Sequence, residues 1–174
     1  MATNVSTVVD AFELLYGSLW DREFCKATDF RIGERSLLKY ARVFLLGYFG
    51  HYFKVEIAAR LPGSIMGAGR VDFLIDDVAV EFAVRTANDP RSKVLPSTNQ
   101  TEIKKLLLHP GKALLVLFDF HDEPCSGEDL DAYRELPSLG RGSFKKSAFN
   151  VAYFHSAQTR PRAVAVMRKS IRLG

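Results

Sequence analysis

The chain has 174 residues, enough for one domain with a real core and too few for two independent ones. With 47% hydrophobic and 25% charged residues it lies inside the globular range, far from the disordered and membrane classes. The net charge of +4 is too small to assign an anionic partner alone, but it is unevenly spread: no acidic residue follows Glu135, while Arg141, Lys145, Lys146, Arg160, Arg162, Arg168, Lys169 and Arg172 all do. Such a segment is the footprint expected of phosphate binding; a basic solvated face is the alternative.

The longest apolar stretch, residues 41–53, is broken by Arg42, two glycines and His51, so no bilayer-spanning segment is expected. The first residues lack a basic region followed by an apolar one, and Cys25 and Cys125 lie far apart with no metal-ligand spacing. Both features fit a cytoplasmic protein with free thiols and no membrane partner.

Val5, Val8, Val9, Phe12, Leu15 and Leu19 recur at helical spacing, which predicts an amphipathic helix over 5–20. Gly33, Glu34, Arg35 and Ser36 open a second helix, whose Leu37, Leu38, Ala41, Phe44, Leu45 and Tyr48 form its apolar stripe. A strand is expected over 51–60, then a glycine-rich turn over 61–69. Residues 70–75 and 78–84 read as neighbouring strands joined at Asp76 and Asp77. Polar residues and two prolines make 86–99 a loop, expected to be mobile, and 100–108 is helical up to the stop at His109, Pro110 and Gly111. Residues 113–118 form a continuous apolar run, as a strand covered on both faces does. A short helix at 128–136 and strands at 149–154 and 163–167 close the chain, without a readable pairing.

Asp72 and Glu81 stand in the middle of the two neighbouring strands. Burying a carboxylate among Val, Phe, Leu and Ile costs several kcal/mol unless a partner, a proton or a metal compensates it. Two such residues on adjacent strands point to a divalent cation, because hard cations prefer carboxylate oxygens. Two acids facing solvent on an uncovered sheet are the plainer alternative.

Asp72, the tight hairpin and Glu81 two positions before Ala83 resemble the signature of the PD-(D/E)XK nuclease superfamily, the fold of many restriction and repair endonucleases. Both acids are present, and alanine stands where that family carries lysine. The element order resembles the same family: an α/β fold is expected, with a restriction-endonuclease-like mixed β-sheet flanked by helices and an α-β-β-β-α-β core. Short turns make the first three strands antiparallel, and a helical crossover makes the next one parallel.

The resemblance implies a Mg²⁺ or Mn²⁺ seat built from Asp72, Glu81 and the Phe82 carbonyl, with Glu34 facing the metal directly or through water. For Glu34 the alternative is a first-turn glutamate favoured by the helix dipole. Glu56 is weaker, since it can pair with a charge on a neighbouring strand. Three readings of Ala83 stay open: deliberate replacement by alanine, loss in a natural pseudoenzyme, or migration of the lysine's role. For migration, Arg85 projects to the Glu81 face, and Gln100 with Lys104 forms a same-face pair on the following helix. Arginine is a poor proton acceptor, with a pKa above about 12, so Lys104 is the better surrogate. Glu102 and Lys105 read as ordinary helix-surface residues.

The implied activity is hydrolysis of DNA rather than RNA phosphodiesters, with Arg60, Arg70, Arg85, Arg91, Lys145 and Lys146 guiding the backbone, in restriction or phage defence. A small domain that cuts both strands of a duplex needs a second copy, so a homodimer is expected. The competing reading is a non-catalytic nuclease-like module that binds nucleic acid or protein, and Ala83 supports it. The acid-rich turn of Asp119, His121, Asp122 and Glu123 with Cys125 resembles a metal cluster but reads as a solvated loop. No phosphate loop or dinucleotide fingerprint occurs.

Overall fold

The computed structural model describes residues 3–28, 32–60, 68–136, 147–156 and 163–173, and for 56–60, 68 and 69 it describes the backbone. Its helices are α1 (Val5–Ser18), α2 (Arg22–Thr28), α3 (Glu34–Phe49), α4 (Gln100–Leu108) and α5 (Gly127–Asp131). Its strands are β1 (Phe53–Arg60), β2 (Ala68–Ile75), β3 (Val78–Arg85), β4 (Lys112–Asp119), β5 (Ala148–Ser156) and β6 (Val164–Arg172). The strands form one mixed sheet in chain order. β1 to β3 meander antiparallel, β3, β4 and β5 are parallel, and β6 closes antiparallel. The expected order of helix, three strands, helix, strand is present, and α2 is a short helix that no long periodic run announced.

Alternation along the central strands divides the core. Val78, Val80, Phe82 and Val84 of β3, with Leu114, Val116 and Phe118 of β4, pack under α1 and α3. Ala79 and Ala83, with Leu115 and Leu117, pack under α4 and α5. Helices on both faces explain why β3 is buried along its whole length and β4 reads as an unbroken apolar run. Asn4 starts α1, its side chain accepting the Thr7 amide at 2.8 Å. Phe12 then carries the packing inward, against Phe73, Phe82 and Phe118. No helix among the described residues is long and apolar enough to cross a membrane.

The residues 86–99 differ from the mobile loop expected of them. A 3-10 turn at Arg91–Val94 buries Val94, and Asn99 is buried at the entrance to α4. The Asn99 amide donates to the carbonyls of Lys93 and Leu95, both at 3.1 Å, and to Tyr133 Oη at 3.0 Å. Tyr133 in turn donates to the Val94 carbonyl at 2.8 Å. Polar composition signalled a loop correctly, but here the polar groups are used internally.

The carboxyl ends of the parallel strands are locked by a buried ion pair. Arg85 and Asp119 are register partners, and Arg85 Nη1 lies 3.1 Å from Asp119 Oδ2. Tyr153 donates to the same oxygen at 2.5 Å, the His121 amide donates to Oδ1 at 2.9 Å, and Tyr16 reaches the Asp119 carbonyl from α1 at 2.5 Å. Removing one member of such a pair leaves an uncompensated buried charge. Asp119→Ala is therefore expected to lower unfolding stability by about 3–5 kcal/mol in urea titration. Arg91→Ala, at the exposed pair with Asp129, should barely move the midpoint; equal losses in the two variants would contradict this assignment.

Candidate functional site

The β2–β3 hairpin turns at Asp76, whose φ of 55° is a left-handed conformation that aspartate tolerates. The first residue of β4 ties that turn down, Lys112 N–H donating to the Asp77 carbonyl at 2.8 Å. A side chain at Gly111 would come within 2.1 Å of that carbonyl, which explains the glycine there. The β2–β3 ladder runs from Ile75 and Val78 to Phe73 and Val80. The next residue on each strand is Asp72 or Glu81, so the two acids stand where the ladder ends. Asp72 Oδ2 accepts the Phe82 backbone N–H at 2.9 Å, a side-chain bond at the margin of the pairing.

Both carboxylates lie on the α4 face. Leu74, two residues after Asp72, packs into the core beneath α4, as do Ala79 and Ala83 on either side of Glu81. The opposite face fixes this orientation, because the Phe82 ring stacks on Phe12 at 5.9 Å and meets Phe118 edge-on at 4.8 Å. Turning β3 over would expel that ring from the core.

Glu81 is 1% exposed. Its Oε2 accepts from Lys105 Nζ at 2.9 Å, while Oε1 is buried with no hydrogen-bond partner among the described residues. Burial, and then the neighbouring Asp72 charge, push the Glu81 pKa up to about 8, against the opposing pull of Lys105. Asp72 is also raised by burial, with the Phe82 amide and Lys105 opposing. Burial works against the charge of Lys105, yet the Glu81 carboxylate outweighs it and holds the ammonium above its ordinary range.

Ala83 continues the same face two residues on and borders a cleft of about 180 Å³, lined also by Glu34, Lys93, Thr98, Asn99 and Glu102. Glu34, in the first turn of α3, is half-exposed at the cleft, 3.9 Å from Lys93 Nζ. It acts on Asp72 through space, raising its pKa, but does not converge with the pair: among the described residues no three His, Cys, Asp or Glu side chains gather closely enough to hold a metal. The oxygen-rich pair and the orphaned Glu81 Oε1 suit a hard divalent cation all the same.

Lys105, not Lys104, is the amine that reaches Glu81. On α4 the apolar stripe is Ile103, Leu106 and Leu107; Gln100 and Lys104 flank it on one side, Glu102 and Lys105 on the other. Helical spacing defines both flanks, but only the crossover geometry decides which one meets β3. Among the described residues neither Gln100 nor Lys104 makes a hydrogen bond or ion pair to the two acids.

The proposed backbone-guiding cations are dispersed. Arg85 lies on the Glu81 face as expected, but it is 2% exposed and engaged by Asp119 and the Glu123 carbonyl, so it is a structural cation and not a surface contact. Arg91 is paired with Asp129, Arg70 is exposed on β2, and Arg60 lies in β1 where the backbone alone is described. Lys145 and Lys146, with Arg141, Arg160 and Arg162, lie outside the described residues, as does most of the glycine-rich turn expected over 61–69. Arg168 pairs with Asp10 and Glu13, and Lys169 with Asp131, so part of the basic C-terminal segment is neutralised. The Asp119 to Cys125 turn is built on the buried ion pair, with the Cys125 amide donating to Tyr153 Oη at 2.7 Å.

No protein-family model, curated protein or solved structure matches this chain, so the site stands on its own geometry.

A folded-state pKa raised from 4.5 to about 8 means that native Glu81 keeps a proton the unfolded chain has already released. Its contribution to stability is therefore complete below 4.5 and is lost as pH rises through about 8. Asp72 acts with the same sign. Thermal unfolding across that window should show the wild-type midpoint falling more steeply with pH than that of Glu81→Gln; parallel curves would show that Glu81 is ionised throughout.

Proposed function

We propose that this chain is a divalent-metal-dependent nuclease of the PD-(D/E)XK type, with a restriction-endonuclease-like fold, that hydrolyses DNA. The observation that carries the reading is the pairing of a half-buried Asp72 with a fully buried Glu81 on one sheet face, with an amine from the following helix on Glu81 and one carboxylate oxygen left without a partner among the described residues.

Asp72, Glu81 and the Phe82 carbonyl would hold Mg²⁺ or Mn²⁺, with Glu34 at the cleft mouth. The bound ion supplies charge neutralisation at the phosphate and a more acidic water. Lys105 takes the part of the missing strand lysine. Because its pKa is raised, it acts as a hydrogen-bond donor that orients Glu81 and a phosphate or water oxygen, and not as a proton acceptor. Ala83 then contributes only a methyl group to the lining of the cleft. Arg70 and the basic residues beyond 136 would guide the backbone, and cutting both strands of a duplex would take a homodimer. A cytoplasmic setting in restriction or phage defence fits this reading.

The Lys105–Glu81 pair also supports the second reading, a nuclease-like module that binds nucleic acid without cutting it, since an internal ammonium occupies part of the space a metal would use. Incubation with single- and double-stranded DNA and RNA separates the two. Wild type is expected to cleave DNA with Mg²⁺ or Mn²⁺ and to stop on chelation. Asp72→Asn and Lys105→Ala should each lower the rate by roughly 10²–10⁴-fold. Binding without cleavage, in wild type and in Ala83→Lys alike, would overturn the nuclease and leave the module.

A further inference from the structure

We propose that Lys93 is the phosphate-binding cation of the cleft beside Ala83 and that Glu34 is its resting counter-ion, exchanged for a substrate phosphate on binding. The inference deepens the nuclease reading and rests on it.

Lys93 differs from the other described cations near the site. Arg85 is buried against Asp119, Lys105 is held at 2.9 Å on Glu81, and Arg91 pairs with Asp129 on α5. Lys93 lines the cleft, is 43% exposed along its side chain, and meets Glu34 only at 3.9 Å, with Glu34 itself 50% exposed. A loose, solvated ion pair contributes little and is readily exchanged. A phosphate entering the cleft brings the negative charge that the Lys93 ammonium pairs with in place of Glu34.

The backbone under Lys93 is fixed in advance. The carbonyls of residues 93, 94 and 95 are each held by a side-chain donor: Asn99 on the first and third, Tyr133 on the second. Asn99 and Tyr133 are buried and bonded to one another. The polar stretch after β3 thus presents one cation on a rigid base, while its tip stays free to move between Glu34 and a ligand. The cleft, of about 180 Å³, has room for a phosphate group and not for a base pair. One backbone phosphate would enter, and the remainder of the nucleic acid would lie across the mouth.

Anisotropy of a fluorescein-labelled DNA duplex in Ca²⁺, titrated with salt, tests this. Lys93→Ala should weaken binding and flatten the slope of log K against log salt by about 0.9, one phosphate contact fewer. Lys93→Glu should weaken it further, and Lys93→Arg should restore the slope. Glu34→Gln should tighten binding in the wild-type background and have no effect in Lys93→Ala, a dependence that a merely structural lysine would not produce. If wild type binds DNA while Lys93→Ala and Lys93→Glu match it in affinity and slope, this inference falls and the nuclease reading survives. If Glu34→Gln tightens binding equally without Lys93, the counter-ion assignment falls. If wild type binds no DNA, both readings fall.

Discussion

A carboxylate at Glu81, enclosed between apolar strands and an apolar helix, is the constraint to which the surrounding structure answers. Leaving it charged and alone in that position would cost several kcal/mol. Two features limit the cost: the Lys105 ammonium on one oxygen and a raised pKa that favours a retained proton. Each depends on something further away. Lys105 arrives because the crossover sets α4 on the β3 face, and Glu81 faces α4 because Phe82 is held among Phe12 and Phe118. The burial of Glu81 and the packing of the core are therefore one problem, solved by the alternation of a single strand.

The charges of the protein fall into two kinds. Arg85 and Asp119 are register partners closed off from solvent, and with Tyr153, Tyr16 and the His121 amide they bind the carboxyl ends of β3 and β4 to α1 and β5. Such a network specifies geometry, and nothing can be exchanged from it without loss of structure. Glu34 and Lys93 are of the other kind: exposed, barely in contact, and placed by helix α3 and an anchored turn. The acidic pair lies between these extremes: Glu81 is buried like the first but has one oxygen lacking a partner among the described residues, and Asp72 is half-buried.

Much of this was legible in the sequence, and the reasons for the remainder are physical. The extents of α1, α3 and α4, the hairpin at Asp76 and the double-sided burial of β4 followed from periodicity and turn residues, as did the placing of Asp72 and Glu81 on adjacent strands. Lys104 was preferred on spacing, whereas Lys105 is the amine that meets Glu81; both lysines border the same apolar stripe and the chain alone does not say which side faces the sheet. Arg85 was placed on the correct face but taken as a surface contact, because its partner Asp119 is 34 residues away and no local pattern joins them. Residues 86–99 looked mobile because they are polar, yet Asn99 and Tyr133 use that polarity to hold the turn. The pairing of β5 and β6 was unreadable for a similar reason: the order of strands is a property of crossovers, not of strand composition.

The central claim is that the oxygens of Asp72 and Glu81 form a seat for a divalent cation. A crystal of the wild-type protein soaked in Mn²⁺ and measured for anomalous scattering tests it most directly. The account predicts an anomalous peak between the two side chains, within about 2.0–2.6 Å of an oxygen from each, as oxygen-ligated hard cations show. A clean difference map at that position, with Lys105 still bonded to Glu81 under saturating Mn²⁺, would contradict it.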